Sequence, residues 1–238
     1  MTEPVLEASD IVQFLGKGAG RVQALKGVSL ALKGGELALL MGPSGSGKTT
    51  LLSILGCLMT PASGTVRIAG RSTEGADPEA LAKLRRDHIG FIFQSYHLFP
   101  TLTAEENIRL VLDVRGDSSR SAVEAARNVL ARVGLGHKRK SRPLELSGGE
   151  QQRIAVARAI VGNAKAILAD EPTGALDTEN GQAIMTLLAE IAKDPTRAVL
   201  VVTHDPRTLP FADRIIQIED GRIVGEESPN PARKASNS

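Results

Sequence analysis

Between an unbroken apolar run, Leu37-Ala38-Leu39-Leu40-Met41, and a second apolar stretch from Leu51 to Leu58 stand Gly42, Pro43, Ser44, Gly45, Ser46, Gly47, Lys48, Thr49 and Thr50. The text matches G-x-x-x-x-G-K-[ST] in full and sits between an expected strand and an expected helix, the context such a phosphate loop requires. Each residue type has a reason. Glycines let the backbone wrap closely with its N–H groups turned inward. The start of a helix adds a favourable dipole for an anion. Lys48 is expected to reach terminal phosphates, and the Thr49 hydroxyl to bind Mg²⁺.

The surrounding chain reads as α/β. The run 37–41, bounded by glycines, is the pattern of a strand buried on both faces, as in parallel sheets. Strands are expected from Val22 through Leu32, at 64–68, at Ile89–Phe93, at 166–169 and at Ala198–Val202. Glu219-Asp220-Gly221-Arg222 between branched apolar residues signals a hairpin. Gly16-Lys17-Gly18-Ala19-Gly20 is not a dinucleotide fingerprint and reads as a hairpin tip. Between the strand groups lie helices. Thr103 with Glu106 and Ser121 with Glu124 look like capping boxes, and a third helix is expected from about Glu150 to Val161.

Two more features point to the same edge of the sheet. Asp170 and Glu171 follow a buried strand directly, and adjacent carboxylates are costly without cations. In a phosphate-loop protein the first supports Mg²⁺ and the second orients and deprotonates the attacking water. His204 ends the run Ala198–Val202, at the ligand-binding edge of an open sheet, and is expected to sense the terminal phosphate.

Leu146-Ser147-Gly148-Gly149-Glu150-Gln151-Gln152-Arg153 resembles the LSGGQ element of ABC ATPases, and Gln94, Asp177 and His204 fall where that family has its Q-loop, D-loop and switch residues. The resemblance covers nearly the whole chain, from about Val5 to Val224. It implies a phosphate-loop NTPase with a RecA-like core (about 1–94 and 164–225), an N-terminal antiparallel β subdomain, an inserted α-helical subdomain (about 95–163) and a flexible tail (226–238). It implies ATP and Mg²⁺, with Thr49, Gln94 and Asp170 at the metal and Lys48, Gln94, Glu171 and His204 in catalysis. It also implies a head-to-tail dimer, in which Ser147, Gly148, Gly149 and Glu150 of one copy, with Asp177, meet the nucleotide of the other. Phe14 stands near the family's adenine-stacking tyrosine, with Val22 as the alternative.

The texts around Gln94, 98–107 and 169–177 are similar to the branch of macrolide-exporter, lipoprotein-release and heterocyst-glycolipid-exporter ATPases; polar-amino-acid importers share much of the same text. That branch implies an integral membrane permease as partner, with Ser95-Tyr96-His97-Leu98-Phe99-Pro100 as its docking segment. Composition agrees. A net charge of +2 is too mild for a nucleic-acid protein, and the compact basic run His137-Lys138-Arg139-Lys140 with Arg142 reads as a turn. The single Cys57 excludes an internal disulfide and reads as a small buried hydrophobe. No stretch approaches the ~18 apolar residues of a membrane span. The expectation is a cytoplasmic protein held at the membrane through its permease.

Overall fold

A computed structural model describes residues 3–229. Among the described residues ten strands form two sheets: β1 (Leu6–Leu15), β2 (Val22–Leu32), β3 (Glu36–Met41), β4 (Ser63–Ile68), β5 (Arg71–Ser72), β6 (Ile89–Phe93), β7 (Ala166–Asp170), β8 (Ala198–Val202), β9 (Arg214–Glu219) and β10 (Arg222–Glu227). The helices are α1 (Lys48–Leu55), α2 (Pro78–His88), α3 (Ala104–Val114), α4 (Arg120–Arg132), α5 (Gly148–Ile160) and α6 (Thr178–Ala192). The smaller sheet runs β2-β1-β4-β5 and is antiparallel. The larger runs β10-β9-β3-β8-β7-β6, parallel apart from the β9–β10 hairpin.

Alternation along the central strands explains why they are continuously apolar. Ala38, Leu40, Leu168, Leu200 and Val202 enter a core shared with α1 and the antiparallel sheet. Leu37, Leu39, Ile167, Ala169, Val199 and Val201 enter a second core beneath α5 and α6. A third core joins Ile108 and Leu112 of α3, Ala126 and Leu130 of α4, and Ile154 and Ala157 of α5. Helix α5 therefore belongs to two cores at once: Val156 and Ile160 face the sheet while Ile154 and Ala157 face α3 and α4.

Several expectations meet corrections. The Thr103–Glu106 capping box forms, but Ser121–Glu124 does not: α4 starts earlier, with Ser119 at its N-cap and the Ser119 hydroxyl and amide both donating to Asp117. Helix α5 begins two residues before Glu150, because Ser147 caps it in a box with Glu150. Of the tail expected over 226–238, Glu226 and Glu227 pair instead within the β9–β10 hairpin, and 230–238 lie outside the described residues. Helices α2 and α6 fall outside the expected elements. Asp77 and Asp177 cap them, accepting from the amides of Ala80 and Asn180 at 2.8 and 2.9 Å. Cys57 is 6% exposed, and burial pushes its thiol pKa up, as suits a packing residue.

Candidate functional site

The loop 42–47 links β3 to α1 and lines a cleft of about 660 Å³. Gly47 is the N-cap of α1 at φ 100°, in the left-handed region, and a Cβ there would lie 2.7 Å from the Ala24 carbonyl oxygen. Only glycine fits. Because this cap has no side chain, the first amides of α1, which lack intrahelical partners, have no local competitor. Lys48 is 9% exposed, and its Nζ donates to the carbonyls of Gly42 (2.8 Å) and Pro43 (2.7 Å), which hold the ammonium over the loop. The Ser46 side chain is turned inward, 3% exposed, and its carbonyl accepts from the Gly221 amide at 3.1 Å. Gly42, Pro43, Ser44, Gly45, Thr49 and Thr50 line the cleft.

The opposite wall carries Gln94, Asp170, Glu171 and His204. They converge because β6, β7 and β8 are parallel neighbours: Phe93 pairs with Asp170 and Asp170 with Val202, so their C-terminal ends share one edge. Asp170 hydrogen-bonds the Thr49 hydroxyl, and burial raises its pKa while that bond opposes the rise. A hydroxyl, a carboxylate and an amide in one cleft are the oxygen donors a hard divalent cation prefers. Glu171 adopts φ 47°, an uncommon conformation for a non-glycine residue; its amide donates to the Val202 carbonyl at 2.9 Å. The His204 Nδ1 lies 2.7 Å from Glu171 Oε1, and the imidazole is 77% exposed at the mouth. A carboxylate held by an imidazole beside a phosphate loop is suited to polarise a water molecule.

Other expected site residues lie elsewhere. Phe14 does not line the cleft; the Arg21 guanidinium covers its ring at 4.1 Å. Leu15 and Ala24 line the cleft instead, and Val22 does not. At Gln13 and Phe14 the β1–β2 pairing steps from Leu25 to Gln23, so Ala24 is an extra residue on β2. Ser147, Gly148, Gly149, Glu150 and Asp177 are also outside the cleft lining. They gather at a separate place, where α5 and α6 begin side by side. A Cβ at Gly149 would fall 2.3 Å from Asn180 Oδ1, and Asn180 Nδ2 donates to Asp177 at 2.8 Å. Hydrogen bonds from the Asn180 amide and side chain hold the Asp177 pKa below the usual range. Glu150 is likewise lowered by the Ser147 amide, and Lys138 lies 3.5 Å from it.

After Gln94 the chain makes a tight turn. Tyr96 and His97 are both left-handed, at φ 60° and 47°. Arg158 of α5 donates to the Tyr96 carbonyl at 2.8 Å and the His97 carbonyl at 2.5 Å. Next to this turn a groove of about 550 Å³ opens among α2, β6, α3 and α5, floored by the stacked rings of Phe91 and Phe93 and edged by Arg85, Arg86, Arg115 and Arg158. His97 lines it, whereas Tyr96, Leu98 and Phe99 do not. Leu98 packs against the helical core, and Phe99 is 49% exposed.

The family profile described as ABC transporter matches residues 25–174. The macrolide export ATP-binding/permease protein MacB of Bradyrhizobium diazoefficiens is 44% identical over 98% of this chain, and that of Hahella chejuensis 45% identical over 100%. The chain spans about a third of the length of these relatives, 35% and 36%. Among solved structures, the dimeric ATP-binding cassette MJ0796 in a post-hydrolysis state with ADP and Pi superposes with a TM-score of 0.85 at 42% identity, covering 94% of this chain and 98% of that one. CbiO1 of Clostridium perfringens, part of the complex cbiONQ, superposes at 0.84 with 25% identity, covering 99% and 92%. With its phosphate loop, Asp170, Glu171 and His204 on one sheet edge, this chain belongs to the ABC transporter family, as an ATP-binding cassette of the P-loop α/β fold.

Proposed function

We propose that the chain hydrolyses ATP with Mg²⁺ and that its turnover drives export through a membrane permease. The observation that carries this is the convergence of Lys48, Thr49, Gln94, Asp170, Glu171 and His204 on one cleft, with Glu171 and His204 2.7 Å apart. Lys48 and the loop amides hold the phosphates. Thr49, Asp170 and Gln94 supply oxygen donors to Mg²⁺, which when bound neutralises charge on the phosphates. Glu171 takes the proton of the attacking water, and His204 fixes that carboxylate and donates toward the terminal phosphate. Leu15 and Ala24, rather than Phe14, provide the apolar surface for the base.

Ser147, Gly148 and Gly149 serve the cleft of a second copy, head to tail, with Asp177 beside them at the same interface. The dimeric MJ0796 cassette with ADP and Pi supports this reading. The MacB relatives, named for macrolide export, favour export over amino-acid import. Among the described residues no helix is long and apolar enough to cross a membrane. The cassette works at the inner membrane face with a permease, a reading supported by the ATP-binding/permease names of the MacB relatives. On this reading the lobe 95–163 faces the permease, and the cationic, aromatic-floored groove receives a segment of it, with His97 of the docking segment 95–100 in the groove lining and Tyr96, Leu98 and Phe99 outside it.

The test is Glu171→Gln. It should keep ATP binding, reduce turnover by about 10² or more, and accumulate an ATP-dependent dimer on size exclusion. Turnover near the unmodified rate would reject Glu171 as the base.

A further inference from the structure

We infer that Arg158 is a positioning residue for hydrolysis: its guanidinium ties the segment that carries Gln94 to the helix that carries Ser147, so that the two move as one. The inference rests on the roles given above to Gln94 and Ser147.

Gln94 lines the phosphate cleft, and only Ser95 separates it from the left-handed pair Tyr96 and His97. Two consecutive non-glycine residues in that conformation persist only where the surroundings over-determine them. Here the determinant is visible. The Arg158 fork donates one N–H to each carbonyl, at 2.8 and 2.5 Å, across 62 and 61 residues of sequence. The Phe93 ring also lies against His97, with centroids 4.7 Å apart, and the Tyr96 amide donates to the Phe93 carbonyl at 3.2 Å. The turn is therefore held from both sides.

A second tie engages the other end of the same helix. A Cβ at Gly148 would lie 2.8 Å from the Tyr96 hydroxyl, so that hydroxyl rests directly on the first turn of α5. Gly148 and Arg158 are ten residues apart on α5, about 15 Å along a rigid helix. A helix that grips one short segment at two such points cannot tilt without moving it. Any force felt at Ser147, the cap of α5, thus reaches Gln94 through the backbone of residues 95–97. The planar fork matters, because lysine offers a point charge rather than two N–H groups set for adjacent carbonyls.

The experiment measures ATP turnover against Mg²⁺ concentration, together with the melting temperature, for Arg158→Met, Arg158→Lys and Gln94→Ala in the full chain. Arg158→Met should raise the Mg²⁺ needed for half-maximal turnover and lower kcat, each roughly tenfold, the scale of a lost hydrogen bond from a charged group. ATP binding without Mg²⁺ should stay unchanged. Arg158→Lys should fall between, because charge returns without the second bond. Should the methionine variant fail to fold, the Mg²⁺ requirement of the lysine variant decides the point. A shift for Gln94→Ala with none for folded Arg158 variants, whatever their melting temperature, overturns the inference alone. No shift for Gln94→Ala overturns both the inference and the metal role of Gln94.

Discussion

The two glycine-rich helix starts of this chain are built on opposite plans. At α1 the cap is Gly47, without a side chain, and the loop before it curls around a cleft lined by Lys48, Asp170, Glu171 and His204. At α5 the cap is Ser147, whose hydroxyl accepts from the Glu150 amide at 3.2 Å while Glu150 accepts from the Ser147 amide at 2.8 Å. The first start is open to a ligand and surrounded by its chemistry. The second is tied off by its own capping box, braced by Asn180, and lies outside that cleft. On the proposed reading, one chain builds a reaction centre at one place and displays a rigid helix start at another, and the two meet only between copies.

The largest effects should come from disabling one start at a time. Lys48→Ala and Ser147→Arg should each lose turnover by about a hundredfold or more, the scale of a lost transition-state donor. A one-to-one mixture of the two should recover roughly a quarter of the unmodified rate: half of randomly paired two-fold dimers are mixed, and each of these holds one intact site. Full activity of Ser147→Arg alone would leave the second start without a role in the cleft.

What was legible in the sequence divides along the same line. The phosphate loop, Asp170, Glu171 and His204 are local texts at the ends of buried apolar strands, so pattern and chemistry coincide. Their convergence follows from parallel pairing. Features set by distant partners were not legible. Which of Phe14 and Leu15 reaches the cleft is set with β2, whose extra residue Ala24 also lines it, and β1 alone does not reveal that. Among its residues only Leu84 of α2 is buried, so that helix lacks a strong apolar stripe; its sign was the Asp77-Pro78 start. The Ser121–Glu124 box lost to Asp117, which captured Ser119 first. The Arg158 tie joins segments far apart in sequence and left no motif.

A smaller effect sharpens the comparison from the side of stability. Burial, first of all, raises the Asp170 pKa. The folded chain thus holds that proton more tightly than the unfolded chain. The stabilisation it brings is complete below the ordinary aspartate pKa, near 4, and is lost as pH rises through the raised value. At neutral pH without Mg²⁺, Asp170→Asn should therefore raise the melting temperature, by about 2 °C. Mg²⁺ with ATP should stabilise the unmodified chain more than the variant, and the variant should lose Mg²⁺-supported turnover. A variant less stable than the unmodified chain in Mg²⁺-free buffer would contradict this account of the carboxylate.

The meeting of the two starts is open to direct measurement, because Cys57 is the chain's one cysteine and is buried. Chains carrying Ser44→Cys are mixed with chains carrying Ser147→Cys, both in the Glu171→Gln background, and treated with a short bifunctional maleimide. The account predicts a covalent dimer that needs ATP and both kinds of chain, and that neither chain forms alone in comparable yield. Cross-linking indifferent to ATP, or no excess in the mixture over either chain alone, would contradict a cleft completed by the partner's Ser147.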